Sequence, residues 1–293
     1  MALYVVVGWG TKAQPVDTAR TTRMVEVDGY QVRVQVAGLG SRQRGSPVII
    51  LEAGLSNSLE VWNKVFSQVA SAAPVVAYDR AGMGRSDWDN MTPTPQHVTA
   101  RLRRLLLTMD VAPPYVLVGY SWGGILARYF AGYYPTEIAG IVYVDPGPII
   151  TQSLADELAP FDSVGAGREG HEAYWSSFGA LIERRSPAAK AEFRAMRNLF
   201  VLNPGDRDLR AVPDVPVVVL ISAKPFPPFM KFSFDQEQHY KVDVRHRIRM
   251  LQGWALNSPK GTIVVSNQTT HAIPREDPEL IVWAVRRVLA AAR

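Results

Sequence analysis

Two hydrophobic patterns divide the chain into predicted strands and helices. Residues 24–37 alternate apolar and polar side chains around the Asp28-Gly29 turn, which predicts a β-hairpin. Elsewhere, short continuous apolar runs are typical of strands buried on both faces of a sheet. These runs are PVIILEAG (47–54), PVVAYD (74–79), YVLVGY (115–120), GIVYVD (140–145), VPVVVLIS (215–222) and GTIVVSN (261–267).

The intervals between these runs carry apolar positions at helical spacing. Helices are expected over about 59–71, 96–110, 121–134, 236–257 and 278–292. Regular alternation of strand and helix predicts an α/β protein, with a mostly parallel eight-stranded sheet and helices on both of its faces.

The alternation stops between residues 146 and 213. This stretch holds helical segments such as AAKAEFRAMRNLF (188–200) and no obvious buried strand. We therefore expect a helical cap inserted between two halves of one core. The predicted organisation is an N-terminal extension (1–23), a first core part (24–145), the cap (146–213) and a second core part (214–293).

Composition and charge describe an ordinary globular protein. Of the 293 residues, 47% are hydrophobic and 20% are charged. The net charge is +5, but basic and acidic residues are interspersed. The densest basic cluster, Arg101, Arg103 and Arg104, is better explained as a solvated helix face than as a nucleic-acid surface, so no nucleic-acid partner is expected. The absence of cysteine excludes disulfides, thiolate zinc sites and cysteine nucleophiles.

The N-terminal run ALYVVVGWG is apolar but matches no standard targeting segment. It lacks the basic region and cleavage site of a signal peptide, and a membrane-spanning helix takes about 20 residues. A strand, an anchor remnant and a truncated signal sequence all fit the pattern. We expect no stable membrane insertion and take the cytoplasm as the default location.

The sequence Gly119-Tyr120-Ser121-Trp122-Gly123 fits the G-x-S-x-G pattern, with a predicted strand before it and a predicted helix after it. In such a turn the serine takes a strained backbone conformation that exposes its hydroxyl above the sheet. The glycines are needed because a Cβ there would strike the neighbouring chain. The turn also directs the Trp122 N–H and the positive end of the following helix towards a developing oxyanion. The alternative is a glycine-rich turn with an inert serine.

A nucleophilic serine needs a base, and His271 is the favoured one of the five histidines. It follows the strand GTIVVSN and precedes the final helix. Strand ends at one edge of such a sheet converge, so this loop can reach Ser121. The alternative is a histidine in a surface loop.

A second oxyanion donor is expected in the loop after the run 47–54. Gly54 permits a tight turn there, and the Leu55 N–H is the candidate donor. Asn57 is a candidate for substrate contact, although a solvated loop residue is an equal alternative.

Together these motifs resemble the α/β-hydrolase fold superfamily, specifically its small serine hydrolases with a helical cap. The resemblance covers roughly residues 24–292 and rests on GYSWGG, LEAGLSNS, YDRAGMGRSD (78–87) and the final histidine loop. It implies the α/β-hydrolase fold and a serine nucleophile but no particular substrate. The 78–87 turn has no third glycine in register, so it is not a dinucleotide fingerprint. In similar proteins it braces the floor of the active site.

The triad acid departs from the pattern of most such proteins, which carry it shortly after the seventh strand. That segment here is ISAKPFPPFMKF, with no carboxylate before Asp235. Asp145 stands instead at the end of the sixth strand, where some members, including certain haloalkane dehalogenases, carry the acid. The resemblance therefore implies that Asp145 orients His271, with Asp235 as the alternative acid. The other interpretation is that Asp145 only caps the turn before Pro146.

The expected activity is hydrolysis of a carboxylic ester through an acyl-enzyme, without a metal or organic cofactor. Amide or peptide, thioester and C–C bond hydrolysis on the same triad remain alternatives, as does a non-catalytic ligand-binding protein on a hydrolase fold. The expected partner is a small-molecule ester, contacted by Gly54, Asn57, Tyr120 and Trp175. Trp175 is also explained by packing within the cap. The sequence leaves the oligomeric state open.

Overall fold

A computed structural model describes residues 19–147, 154–165, 167–201, 207–225 and 234–292. Its centre is one eight-stranded sheet in the order β1-β2-β4-β3-β5-β6-β7-β8. The first two strands form the predicted hairpin, and β2 is also antiparallel to β4. All remaining neighbours are parallel, which confirms the mostly parallel eight-stranded prediction. The strands are β1 Thr21–Val27, β2 Tyr30–Ala37, β3 Val48–Glu52, β4 Val75–Tyr78, β5 Tyr115–Tyr120, β6 Ile138–Val144, β7 Val217–Ser222 and β8 Thr262–Ser266.

Helices alternate with the parallel strands along the described chain. They are α1 Phe66–Ala70, α2 Pro95–Thr108, α3 Trp122–Tyr133, α4 Leu154–Asp162, α5 Gly167–Ile182, α6 Pro187–Val201, α7 Gln236–Leu256, α8 Ile273–Glu276 and α9 Pro278–Ala291. Within these residues no helix is both long enough and apolar enough to cross a membrane.

The helical stretch predicted over 59–71 is divided into two short helices. The chain forms a 3₁₀ helix over Leu59–Trp62 and then the short helix α1. Leu59 and Trp62 are both buried, at a spacing of three residues. This spacing places side chains on one face of a 3₁₀ helix and also close together on an α-helix, so the sequence pattern does not separate the two helix types.

Two apolar layers cover the two faces of the sheet. On β5, Val116 and Val118 pack with α1 and α9, whereas Tyr115 and Leu117 pack with α2 and α3. Successive side chains of a strand point to opposite faces, so a strand buried on both faces must be apolar throughout. This explains why the continuous apolar runs in the sequence coincide with the parallel strands.

The strand register brings three carboxyl ends together at one edge. Glu52 of β3 lies beside Gly119 of β5, and Tyr120 of β5 lies beside Val144 of β6. The segments that follow these strands therefore begin side by side, which is where ligands bind in open α/β sheets. The helices α4, α5 and α6 fall in the range predicted as the cap, and the division into domains stays a prediction.

Candidate active site

Ser121 sits on a sharp turn between β5 and α3. Its backbone angles are φ 54° and ψ −121°, a conformation that L-residues rarely adopt. The Ser121 N–H donates to the Val144 oxygen at 3.0 Å, which ties the turn to β6. A Cβ on Gly119 would lie 2.4 Å from the Gly123 oxygen, so the turn requires glycine there. A strained backbone conformation persists only where the surrounding contacts hold it firmly, and it is common at functional sites.

The structure brings His271 between Ser121 and Asp145. His271 Nε2 lies 2.9 Å from Ser121 Oγ, and His271 Nδ1 lies 2.6 Å from Asp145 Oδ2. Asp145 is 2% exposed and follows β6 directly, whereas His271 lies in the loop between β8 and α8. Asp235, the alternative acid, is exposed and caps α7, where its side chain accepts from the backbone N–H groups of Glu237 and Gln238. Asp145 is therefore the carboxylate that the structure pairs with His271.

Two residues that the sequence analysis missed also bind the Asp145 carboxylate. The Ser222 N–H and Arg247 Nη1 donate to Oδ1 at 2.8 and 2.7 Å, and Ser222 Oγ donates to Oδ2 at 2.7 Å. Burial opposes ionisation of this carboxylate. Arg247 and the His271 hydrogen bond outweigh it, and the pKa of Asp145 falls to about 2.

Arg247 is itself nearly buried and has further partners. Its Nε donates to Asp243 at 2.8 Å and its Nη2 donates to the Ser222 oxygen at 2.9 Å. Nothing in the sequence marked Arg247, because it lies in a strongly polar helix where an arginine normally faces solvent. The tie to Asp145 spans 102 residues along the chain and exists only in the folded protein.

Acidification is expected to remove a stabilisation that Asp145 supplies. Its folded pKa of about 2 lies below the ordinary 3.8, so the ionised carboxylate stabilises the fold above about pH 4. That contribution, about 2 kcal/mol in full, is lost as the pH falls through about 2. Urea unfolding of wild type and Asp145→Asn between about pH 5 and pH 2 measures it. The difference between the two proteins should shrink towards the acid end, and a constant difference would contradict this account.

Tyr120 forms one wall beside the histidine. Its ring lies 5.1 Å from the His271 ring, centroid to centroid, and meets the Trp62 ring edge-on at 6.3 Å. Burial, and secondarily the Asp145 charge, raise the pKa of the Tyr120 hydroxyl, so it stays neutral. Tyr120 therefore limits the positions open to the imidazole.

The candidate oxyanion donors lie on either side of this arrangement. Trp122 begins α3, and Leu55 lies in the loop after β3. Neither backbone N–H donates to another residue in the part of the chain that the structure describes. A Cβ on Gly54 would lie 2.9 Å from Asn57 Oδ1 and 3.1 Å from the Tyr120 ring, so this loop passes close to the site.

Trp175 belongs to an apolar cluster that joins α5 and α6 to α3. It packs against a buried cluster that includes Trp122 and Phe200, and its ring lies 5.7 Å from that of Phe200. Leu55, in the loop after β3, is a second partly buried residue packed against the same cluster. The predicted substrate role of Trp175 stays a prediction, as do those of Gly54, Asn57 and Tyr120.

The 78–87 turn is held by hydrogen bonds to the buried Asp79, and its predicted role in bracing the floor of the active site stays a prediction. The buried Asp79 carboxylate accepts from the Leu59 and Arg85 N–H groups at 2.7 and 2.9 Å, and from Arg33 Nε at 2.6 Å. Gly84 is required because a Cβ there would lie 2.0 Å from Asp79. Across the described ranges, no group of three His, Asp or Glu side chains is placed to hold a metal ion.

Comparison with known proteins places the sequence in one family. A family model described as "Alpha/beta hydrolase family" matches residues 49–284. An "AB hydrolase superfamily protein" of Gibberella zeae is 25% identical over 307 residues, which cover 90% of this chain and 92% of that protein. "Uncharacterized protein YqjL" of Bacillus subtilis is 33% identical over 98 residues. The chain covers 39% of YqjL's length in that match, and 33% of this chain is matched.

One solved structure illustrates the likeness in three dimensions. Est816, described as an N-acyl homoserine lactone degrading enzyme, aligns with a TM-score of 0.58 at 20% identity. The alignment covers 90% of this chain and 99% of that chain. At this identity the likeness shows a shared fold alone.

Proposed function

The chain belongs to the alpha/beta hydrolase family, and we propose that it is a serine hydrolase that cleaves carboxylic esters through an acyl-enzyme. The observation that carries the proposal is the continuous hydrogen-bonded path from Ser121 Oγ through both nitrogens of His271 to Asp145. A hydroxyl reacts only when a base takes its proton, and this geometry supplies the base and the group that orients it.

In the proposed first half-reaction Ser121 Oγ attacks the ester carbonyl carbon. His271 donates its Nδ1–H to the ionised Asp145, which leaves the Nε2 lone pair facing Ser121 to accept the hydroxyl proton. The C–O bond to the alcohol then breaks, and His271 Nε2–H protonates the leaving oxygen. The products of this step are the alcohol and an ester of Ser121.

In the second half-reaction water takes the place of the alcohol. His271 accepts a proton from the water as its oxygen attacks the acyl carbon, and then returns the proton to Ser121 Oγ as the acid leaves. In both halves we assign the Leu55 and Trp122 N–H groups to the tetrahedral oxyanion. Donors fixed beforehand at the developing charge are worth more than solvent donors, because they need no reorganisation.

Three considerations favour an ester over the alternatives. An alcohol is a better leaving group than an amine, and the single proton that His271 supplies is sufficient for it. The partly buried apolar side chains of Trp175 and Leu55 suit contact with an apolar acyl or alcohol group. Est816 is described as degrading a lactone, which is a cyclic ester, so a protein with a similar fold acts on this substrate class.

Covalent labelling by a fluorophosphonate tests the nucleophile. The wild type is expected to gain one adduct per chain by intact mass, and Ser121→Ala none, because only an activated serine attacks the phosphorus. A panel of p-nitrophenyl esters of increasing acyl length then tests the substrate class, with kcat falling at least about 10³-fold in Ser121→Ala.

The matched control for this substitution is Ser163→Ala, which removes an exposed serine hydroxyl at the end of α4. Its labelling and activity should equal those of the wild type. A folded wild type that takes no label and cleaves no ester would overturn the proposal and favour a binding protein on this fold.

A further inference from the structure

A buried ionic cluster lies directly behind the loop that carries Leu55. It consists of Arg80, Glu52 and Glu192, each less than 5% exposed. Arg80 Nη1 binds Glu52 at 2.8 Å and Arg80 Nε binds Glu192 at 2.6 Å. The Tyr78 hydroxyl donates to the second oxygen of Glu52. Burying this many charged groups is unfavourable unless each has partners. The partners of Arg80 and Glu192 therefore indicate what the cluster holds in place.

Arg80 uses its remaining donors on the backbone of the loop. Its Nη1 donates to the Ala53 oxygen at 2.6 Å and its Nη2 to the Gly54 oxygen at 2.7 Å. A peptide group is planar and trans, so its C=O and N–H point in opposite directions. By holding the Gly54 oxygen, Arg80 therefore fixes the direction of the Leu55 N–H, which faces away from the arginine.

Glu192 holds the next peptide group of the same loop. Its Oε2 accepts from the Ser56 N–H at 2.6 Å while its Oε1 binds Arg80. Ser56 adopts a positive φ of 55°, and the Asn57 N–H donates to the Gly54 oxygen at 3.1 Å. The peptide groups before and after Leu55 are thus both held by buried charged side chains.

Glu192 lies on α6, which is part of the range predicted as the cap. The N-terminal part of this helix is seated on the 78–87 turn, where Ala188 and Ala189 pack with Met83. The helix is therefore anchored beside Arg80, and its Glu192 carboxylate reaches the loop after β3.

We propose that Arg80 and Glu192 are positioning residues that hold the Leu55 N–H in place for the oxyanion, and that α6 is thereby a working part of the active site. The inference rests on the proposed function, which assigns Leu55 to the oxyanion. Neither side chain touches the substrate. Each acts through the loop backbone, so its effect belongs to the transition state and not to substrate binding.

The test uses Glu192→Gln and Arg80→Lys. A carboxamide offers one acceptor oxygen where the carboxylate offers two, so Glu192→Gln must lose either the Arg80 or the Ser56 bond. Arg80 keeps Glu52 as its counter-charge in this variant, so the fold should survive. Arg80→Lys keeps the charge, but a single ammonium cannot bind both carbonyls and both carboxylates. The matched control is Glu183→Gln, in which the exposed Glu183, just after α5, loses its ion pair with Lys190 of α6.

With the best ester of the panel, kcat should fall about 10-fold in Glu192→Gln and about 100-fold in Arg80→Lys, with KM within about threefold. Inhibition by a trifluoromethyl ketone, whose serine adduct carries an oxyanion, should weaken by the same factors. Glu183→Gln should match the wild type in both measurements. Thermal unfolding is recorded alongside, because a purely structural role would lower the midpoint and leave kcat and inhibition at 25 °C unchanged.

Folded Glu192→Gln and Arg80→Lys proteins with wild-type kcat and inhibition would overturn this inference and leave the proposed function standing. If the wild type itself neither takes the fluorophosphonate nor cleaves esters, the proposed function fails and this inference falls with it.

Discussion

Replacing Asp145 with asparagine is expected to lower kcat by about 10³–10⁴-fold. Oδ1 of Asp145 faces two donors, the Ser222 N–H and Arg247, so the carboxamide oxygen must occupy that side. The amide NH₂ then faces His271 Nδ1 and donates to it. This selects the tautomer with hydrogen on Nε2, which cannot accept the Ser121 proton.

Steady-state hydrolysis of the best p-nitrophenyl ester measures this effect, with KM expected within a few-fold of the wild type because Asp145 does not touch the substrate. The matched control is Asp235→Asn, which alters the exposed cap of α7. Its kcat should stay within about twofold. A larger loss of kcat in Asp235→Asn than in Asp145→Asn would reverse the assignment of the acid.

Gly123→Ala is expected to destabilise the fold by about 4 kcal/mol or more, enough to prevent recovery of folded protein. A Cβ at this position would lie 2.2 Å from the Glu52 oxygen and 2.5 Å from the Ala53 oxygen. Both atoms belong to the backbone of β3 and the following loop, so neither can swing aside as a side chain would. Helix α3 would have to move away from β3, which would also displace Ser121.

Gly253→Ala is the matched control, since it makes the same change inside α7. No atom lies within 4 Å of a Cβ built at this position, and alanine stabilises a helix interior more than glycine does. The free energy of unfolding should rise by about 0.5–1 kcal/mol in urea. A folded Gly123→Ala protein with a wild-type unfolding midpoint would show that the close approach at α3 is not required.

The residues of the candidate triad can be predicted where chemistry and position coincide in a short segment. Ser121 is such a case because glycines flank it between a buried strand and a helix, and Asp145 because some of the proteins that the sequence resembles carry the acid at the end of the same strand. The strands were recognisable because burial on both faces demands continuous apolar runs. In these cases the local pattern and the final contacts obey the same constraint.

A polar residue whose role depends on a distant partner could not be predicted from the sequence. Arg247 lies on a helix with many exposed charges and Glu192 on a helix with three other charged residues, and nothing in the local sequence separates a buried charged residue from a solvated one. Glu192 meets Arg80 across 112 residues of chain. The 3₁₀ helix at Leu59–Trp62 was missed because a short run of buried residues at a spacing of three fits either helix type.

The pairing of β6 with β7 joins two parts of the chain that α4–α6 separate, and this affects how much those helices can change during evolution. Ser121 and Asp145 precede α4–α6 in the chain, whereas Ser222, Arg247 and His271 follow them, so the contacts of the candidate site join segments on both sides of these helices. The entropic cost of closing a loop rises only with the logarithm of its length, so helices added or removed there change the stability of the core little. Helices α4 and α5 can accordingly change in length and sequence with little effect on the core. Glu192 sets the limit to that freedom, because α6 must return to the same place for its carboxylate to meet Arg80 and Ser56.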